Sequence, residues 1–119
     1  MLKVYGLKNC DTCRNAMKWL EKSKIDSEFY DLRANGIDRA SLVKWINVVG
    51  WENLLNRRST TWRDLSAEIS SSIDGNSVIN LMIKKPTLVK RPVFQQDCSV
   101  IIGFKEKQRK ELKLLLMRS

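Results

Sequence analysis

Cys10-Asp11-Thr12-Cys13 is the stretch of this sequence whose residue types and spacing can do chemistry: a C-x-x-C, two thiols placed to attack and resolve a disulfide. The sequence puts it where a strand ends and a helix begins. Amides in the first turn of a helix have no partners inside it and carry the positive end of its dipole, so a sulfur just ahead of them is stabilised as thiolate. Lys8 and Arg14 push in the same direction, Asp11 opposes them, and Thr12 and Cys13 add donors. Cys13 falls on the apolar stripe of the helix and is expected to be the inner, resolving sulfur. A C-x-x-C also serves as half of a zinc site or as two incidental core thiols. The zinc use lacks a second pair, and the sequence contains no histidine. Cys98 reads as a free structural thiol at the edge of a hairpin.

The elements that must hold this motif follow from periodicity. Residues 2 to 5 alternate as a strand, Gly6 to Asn9 reads as a turn, and Asp11 to about Lys22 as a helix with Cys13, Ala16, Met17 and Leu20 on one face. Phe29 to Leu32 reads as a second strand, completing a βαβ unit with parallel strands and a right-handed crossover. From Asp38 to Lys85 the spacing is helical. Leu42, Trp45, Ile46 and Val49 lead to a C-terminal Gly50, and Val78, Ile79, Leu81 and Met82 lead to Lys84, Lys85 and the helix-stopping Pro86. The basic pair there suits dipole compensation. Ser70, Ser71 and Ser72 with Asp74, Gly75 and Asn76 read as a flexible loop. Val93 to Gln95 and Ser99 to Ile102 read as a hairpin turning at Gln96 and Asp97, and Phe104 to Met117 as a closing helix. Four tryptophans at largely helical spacing read as core. The expected fold is α/β: a thioredoxin-like βαβ...ββα core with a mixed four-stranded sheet and an inserted helical subdomain over 36–86, within one domain spanning 1–119.

The bulk properties narrow the function. With 22 basic and 13 acidic residues the net charge is +9, which favours anionic partners: nucleic acid, an oxyanion, or a carboxylate-bearing small molecule such as glutathione. No helix-turn-helix or zinc-finger pattern is visible, so direct nucleic-acid binding is not expected. No long apolar run and no signal-like start are present, so no membrane partner is expected and the location expected is cytoplasmic.

Lys90-Arg91-Pro92-Val93 leads into the third strand. Its X-Pro bond is a candidate cis peptide that would aim the preceding residue at a neighbouring site. With these residues the sequence resembles the arsenate reductase (ArsC)/Spx family, and within it the YffB branch of proposed glutathione-dependent thiol reductases. The matching stretches are Val4 to Thr12, Leu54-Leu55-Asn56-Arg57-Arg58-Ser59-Thr60-Thr61-Trp62-Arg63, Pro86, Val89 to Val93, and Ile102-Gly103-Phe104-Lys105. The resemblance implies that Cys10 is the nucleophile and that Arg91, before a cis Pro92, contacts an oxyanion or thiol substrate. A guanidinium's planar fork of donors suits that task. Lys8, Asn9 and Thr12 are further candidates for substrate binding. Arg57 and Arg58 either face the same cleft, as the family's insert implies, or are solvated surface residues; Tyr5, Asn9 and Trp62 either line the site or pack.

Where the family's arsenate reductases carry Gly-Thr-Ser-Arg after the cysteine, Asp11-Thr12-Cys13-Arg14 stands here. Asn56 occupies the place of one substrate arginine, with Arg57 beside it, and no counterpart of another is found near Cys98. A thiol reductase with glutathione as co-substrate, no bound cofactor and no metal is therefore expected ahead of arsenate reduction. A glutaredoxin is a candidate further partner. The rival is an Spx-like redox-sensing regulator that docks on RNA polymerase and uses Cys10 and Cys13 as a switch.

Overall fold

The computed structural model describes residues 1–117. The chain divides into two compact units, one built from Met1–Leu32 together with the chain from Arg91 onward, the other from Arg33–Lys90.

The first unit holds a four-stranded sheet in the order β2-β1-β3-β4. Strand β1 (Leu2–Gly6) and β2 (Ser27–Asp31) run parallel, joined by helix α1 (Asp11–Lys22). β3 (Val93–Gln96) runs antiparallel to β1, and β4 (Ser99–Ile102) antiparallel to β3. The sheet is thus mixed, and the fold is thioredoxin-like α/β. Alternation decides which side faces inward: Leu2 and Val4 of β1, Phe94 of β3 and Ile101 of β4 point to one face. Ala16 and Leu20 of α1 and Leu112 of α7 (Glu106–Met117) complete that core. Each large aliphatic or aromatic side chain fully buried here contributes about 1.5–3 kcal/mol.

Several expected boundaries move, β1 first: it runs on to Gly6, which pairs with Asp31. β2 begins at Ser27, ahead of the aromatic pair, because Leu2 and Lys3 of the parallel neighbour need partners at Ser27 and Glu28. In the hairpin, Gln96 pairs with Ser99, so the turn is Asp97-Cys98, with Asp97 at φ 53, a left-handed conformation that aspartate tolerates. The last helix starts at Glu106. Gly103 at φ 93 turns the chain, Phe104 packs edge-on to Trp19 at 5.6 Å, and Gln108 Oε1 accepts the Lys105 N–H at 2.9 Å in the manner of a capping box.

The second unit is helical: α2 (Arg39–Val49), α3 (Trp51–Leu54), α4 (Thr60–Arg63), α5 (Ala67–Ser71) and α6 (Ser77–Lys84), then a 3-10 turn at Pro86–Leu88. Asp38 caps α2 by accepting the Ser41 N–H, and Gly50 at φ 86 ends it. Leu42, Trp45, Leu54, Leu55, Val78, Met82, Leu88 and Val89 are its buried residues. Ser70 and Ser71, expected in a loop, lie in α5. Ser66 caps that helix at Ile69 N–H, and the serine hydroxyls bond back to carbonyls one turn earlier. Of the four tryptophans only Trp45 is fully buried; Trp19, Trp51 and Trp62 keep partial exposure. Among the described residues no helix is long and apolar enough to cross a membrane.

Candidate active site

The site grows from the end of β1. Gly6 accepts the Leu32 N–H at 2.8 Å, and the chain then turns, with Cys10 N–H donating to Leu7 O at 3.2 Å. The turn is pinned from β2: the Lys8 backbone N–H donates to Asp31 Oδ2 at 3.0 Å, and Asp31 is the buried carboxylate of the sheet edge. Cys10 is left as the N-cap of α1, in extended conformation, while its carbonyl accepts the Arg14 N–H at 3.0 Å and starts the helix.

Gly6 also clears room for the second sulfur. A Cβ on Gly6 would lie 2.5 Å from Cys13 Sγ, so only glycine lets the helix sit this close to β1. From the other side of β1, the Arg91-Pro92 peptide is cis, and Pro92 O accepts the Gly103 N–H at 2.9 Å. Arg91, with its Nε buried, brings its guanidinium to Cys10 Sγ.

The two thiols are set far apart in acidity. Burial alone would raise Cys10, but it is outweighed by the Cys13 backbone N–H, the Cys13 thiol and the hydrogen bond and charge of Arg91, which together hold Cys10 below the ordinary thiol value. Cys13 goes the other way: burial, reinforced by the hydrogen bond with Cys10 and its charge and only partly offset by the Leu7 backbone N–H and the Arg91 charge, pushes it up to about 12. All three cysteines are free, Cys10 half-buried, Cys13 buried and Cys98 exposed at the hairpin turn.

Cys10, Cys13, Arg91 and Pro92 are brought together. Lys8, Asn9 and Thr12 flank them and are exposed. The charge expected from Arg14 is taken up by Asp11, to which its guanidinium pairs within the first turn of α1. Arg91, distant in sequence, supplies the cation instead. Arg57 and Arg58 belong to the second unit and are exposed there; Arg57 lies over the Trp62 ring at 5.6 Å, and Arg58 N–H donates to Asn56 Oδ1 at 3.1 Å. Tyr5 stacks on its strand partner Tyr30 with ring centroids 5.1 Å apart. Gly6 and Asp31 were not foreseen as parts of the site. Their only signal in the sequence is a glycine ending one strand and an acid ending the next. Among the described residues no group of three or more histidines, cysteines and acids could hold a metal ion.

A model of the ArsC family matches residues 5–112, nearly the whole chain and every element of this site. The chain belongs to the ArsC family. Within it, an uncharacterized protein of Haemophilus influenzae is 42% identical over 108 residues, covering 91% of this chain and 95% of that one. The solved structure of a protein designated YFFB is 36% identical with a TM-score of 0.87, covering 93% of this chain and 97% of that one. Global transcriptional regulator Spx 2 of Bacillus anthracis is 27% identical over 121 residues, covering all of this chain and 89% of the regulator. This is an ArsC/Spx-family member of the YffB-like kind.

Proposed function

We propose that this protein is a cytoplasmic, glutathione-dependent thiol reductase. The observation that carries the reading is the asymmetry of the pair: Arg91 and the α1 amides favour the Cys10 thiolate while burial keeps Cys13 protonated to about 12. In the first step the Cys10 thiolate attacks one sulfur of a disulfide R–S–S–R′, forming Cys10–S–S–R and expelling R′S⁻. Arg91 orients a carboxylate or oxyanion on the bound group. In the second step a glutathione thiolate attacks the mixed disulfide, yielding a glutathione-containing disulfide and regenerating the Cys10 thiolate. Glutathione is preferred to Cys13 here because so little of Cys13 is ionised near neutral pH. With arsenate the Cys10 thiol would displace water to give Cys10–S–AsO(OH)2, one glutathione thiol would attack the Cys10 sulfur to release As(OH)3 and leave a Cys10–glutathione disulfide, and a second glutathione, or a glutaredoxin, would resolve that disulfide.

The test is pH-dependent alkylation of Cys10 followed by mass spectrometry, with glutathione disulfide added in a parallel sample. A pKa below about 8.5 together with a glutathione adduct on Cys10 supports the reductase. An unshifted thiol without adduct overturns it. Sequence similarity to the global transcriptional regulator Spx 2 supports a second reading, a transcriptional regulator, in which Cys10 and Cys13 would serve as the redox switch and RNA polymerase would be the partner. Copurification of polymerase subunits in the absence of any thiol transfer would favour it.

A further inference from the structure

Next to the thiol pair, on the β2 side of α1, lies a groove of about 260 Å³ that disulfide exchange at Cys10 leaves unused. Its floor is apolar, formed by Leu7, Cys13, Met17 and Phe29, and Lys8 and Lys18 stand at its rim. Leu7 and Cys13 are covered, so what a ligand meets is chiefly Met17 and Phe29, both partly exposed. Arg14 also reaches the rim but is paired with Asp11; neither Lys8 nor Lys18 has an ion pair among the described residues. The sheet order places this groove opposite Arg91. β1 lies between β2 and β3, so Cys10, following β1, has Arg91 on its β3 flank and the groove with Phe29 on its β2 flank.

An apolar floor holds an apolar group by keeping it from water, and a cationic rim selects an anion around it. The volume is below the roughly 300–1,000 Å³ of small-molecule sites and fits one leucine- or phenylalanine-sized side chain. A free glutathione disulfide carries no such side chain.

We propose that the groove receives an apolar side chain of an acidic polypeptide segment, whose own cysteine is thereby presented to Cys10. The occupant's role as substrate rests on the thiol reductase reading; its binding does not. Protein disulfides flanked by an apolar residue and acids are then favoured over small disulfides.

The experiment titrates ¹⁵N-labelled full-length protein with the peptide acetyl-Glu-Glu-Leu-Glu-Glu-amide and with two counterparts, one with serine for the leucine and one with lysines for the glutamates. Amide shifts are expected at Lys8, along residues 13–18 and at Phe29, with affinity for each counterpart lower by about tenfold. Met17→Glu and Lys18→Glu should each weaken the first peptide to a similar degree, the second, at an exposed position, keeping the test readable should the first fail to fold. In turnover, the ratio of kcat/KM for a mixed disulfide of such a peptide to that for bis(2-hydroxyethyl) disulfide should fall about tenfold in Lys18→Glu. Equal binding of the three peptides, or shifts confined to other parts of the chain, overturns the groove. Turnover of both disulfides with a ratio that Lys18→Glu does not move also overturns it and leaves the reductase standing. Groove binding without turnover of either disulfide overturns the reductase and keeps the polypeptide site.

Discussion

Gly6 and Cys13 touch across the β1–α1 packing so closely that a Cβ on Gly6 would meet Cys13 Sγ at 2.5 Å and Cys13 Cβ at 3.3 Å. The glycine is therefore part of how the inner sulfur is seated. Gly6→Ala should cost about 1–3 kcal/mol of stability in urea unfolding, the range for overpacking a tight core. Adding Cys13→Ala, which removes the clashing sulfur, should recover part of that loss. A double-mutant cycle with no coupling between the two sites would show that the helix simply slides to absorb the methyl.

Arg91 is expected to control Cys10 reactivity through charge and hydrogen bonding together. In Arg91→Ala the Cys10 pKa should rise, and alkylation at pH 7 should slow by about three- to tenfold. Arg91→Lys should restore part of the rate, since it returns the charge without the planar fork of donors. Rates measured by mass spectrometry that are equal in all three proteins would leave the Cys13 amide and thiol as the sources of the shift.

The two thiols give opposite pH linkages. Cys13 is held protonated up to about 12, so above the unfolded thiol pKa of about 8.5 the folded chain keeps a proton that the unfolded chain releases. Stability contributed by that site falls as pH rises through this window. Cys10 has a lowered pKa when folded, so its contribution is complete above the unfolded value and is lost as pH falls through the folded one. The urea midpoint of the wild type should therefore decline between about pH 9 and 11, and decline less in Cys13→Ala.

Asp31 anchors the turn before Cys10 through the Lys8 N–H. Asp31→Ala strands that amide and should cost about 1–3 kcal/mol. Hydrogen exchange at Lys8 should accelerate more than exchange in β1 itself. Uniform acceleration along the sheet would mean that Asp31 supports the whole edge and has no special hold on the turn.

Local pattern alone indicated the βαβ, helical insert, ββα order, the place of Cys10 ahead of α1, a candidate cis bond before Pro92 and the end of α2 at Gly50, because each depends on residues within one or two turns of one another. Alternation in β1 and the stripe on α1 likewise identified which faces go inward. The hairpin turn and the start of β2 lay beyond that reach, since their limits are set by the register of partner strands and not by their own composition. The serine run in α5 misled for a related reason: serine favours turns unless a cap and back-bonding hold it in a helix. Only the tertiary structure decided which cation serves Cys10. Arg14 is adjacent in the chain but neutralised by Asp11, whereas Arg91 arrives across the sheet. Charge falls off with distance in space, and distance in space across a β1–β3 pairing is invisible to spacing along the chain.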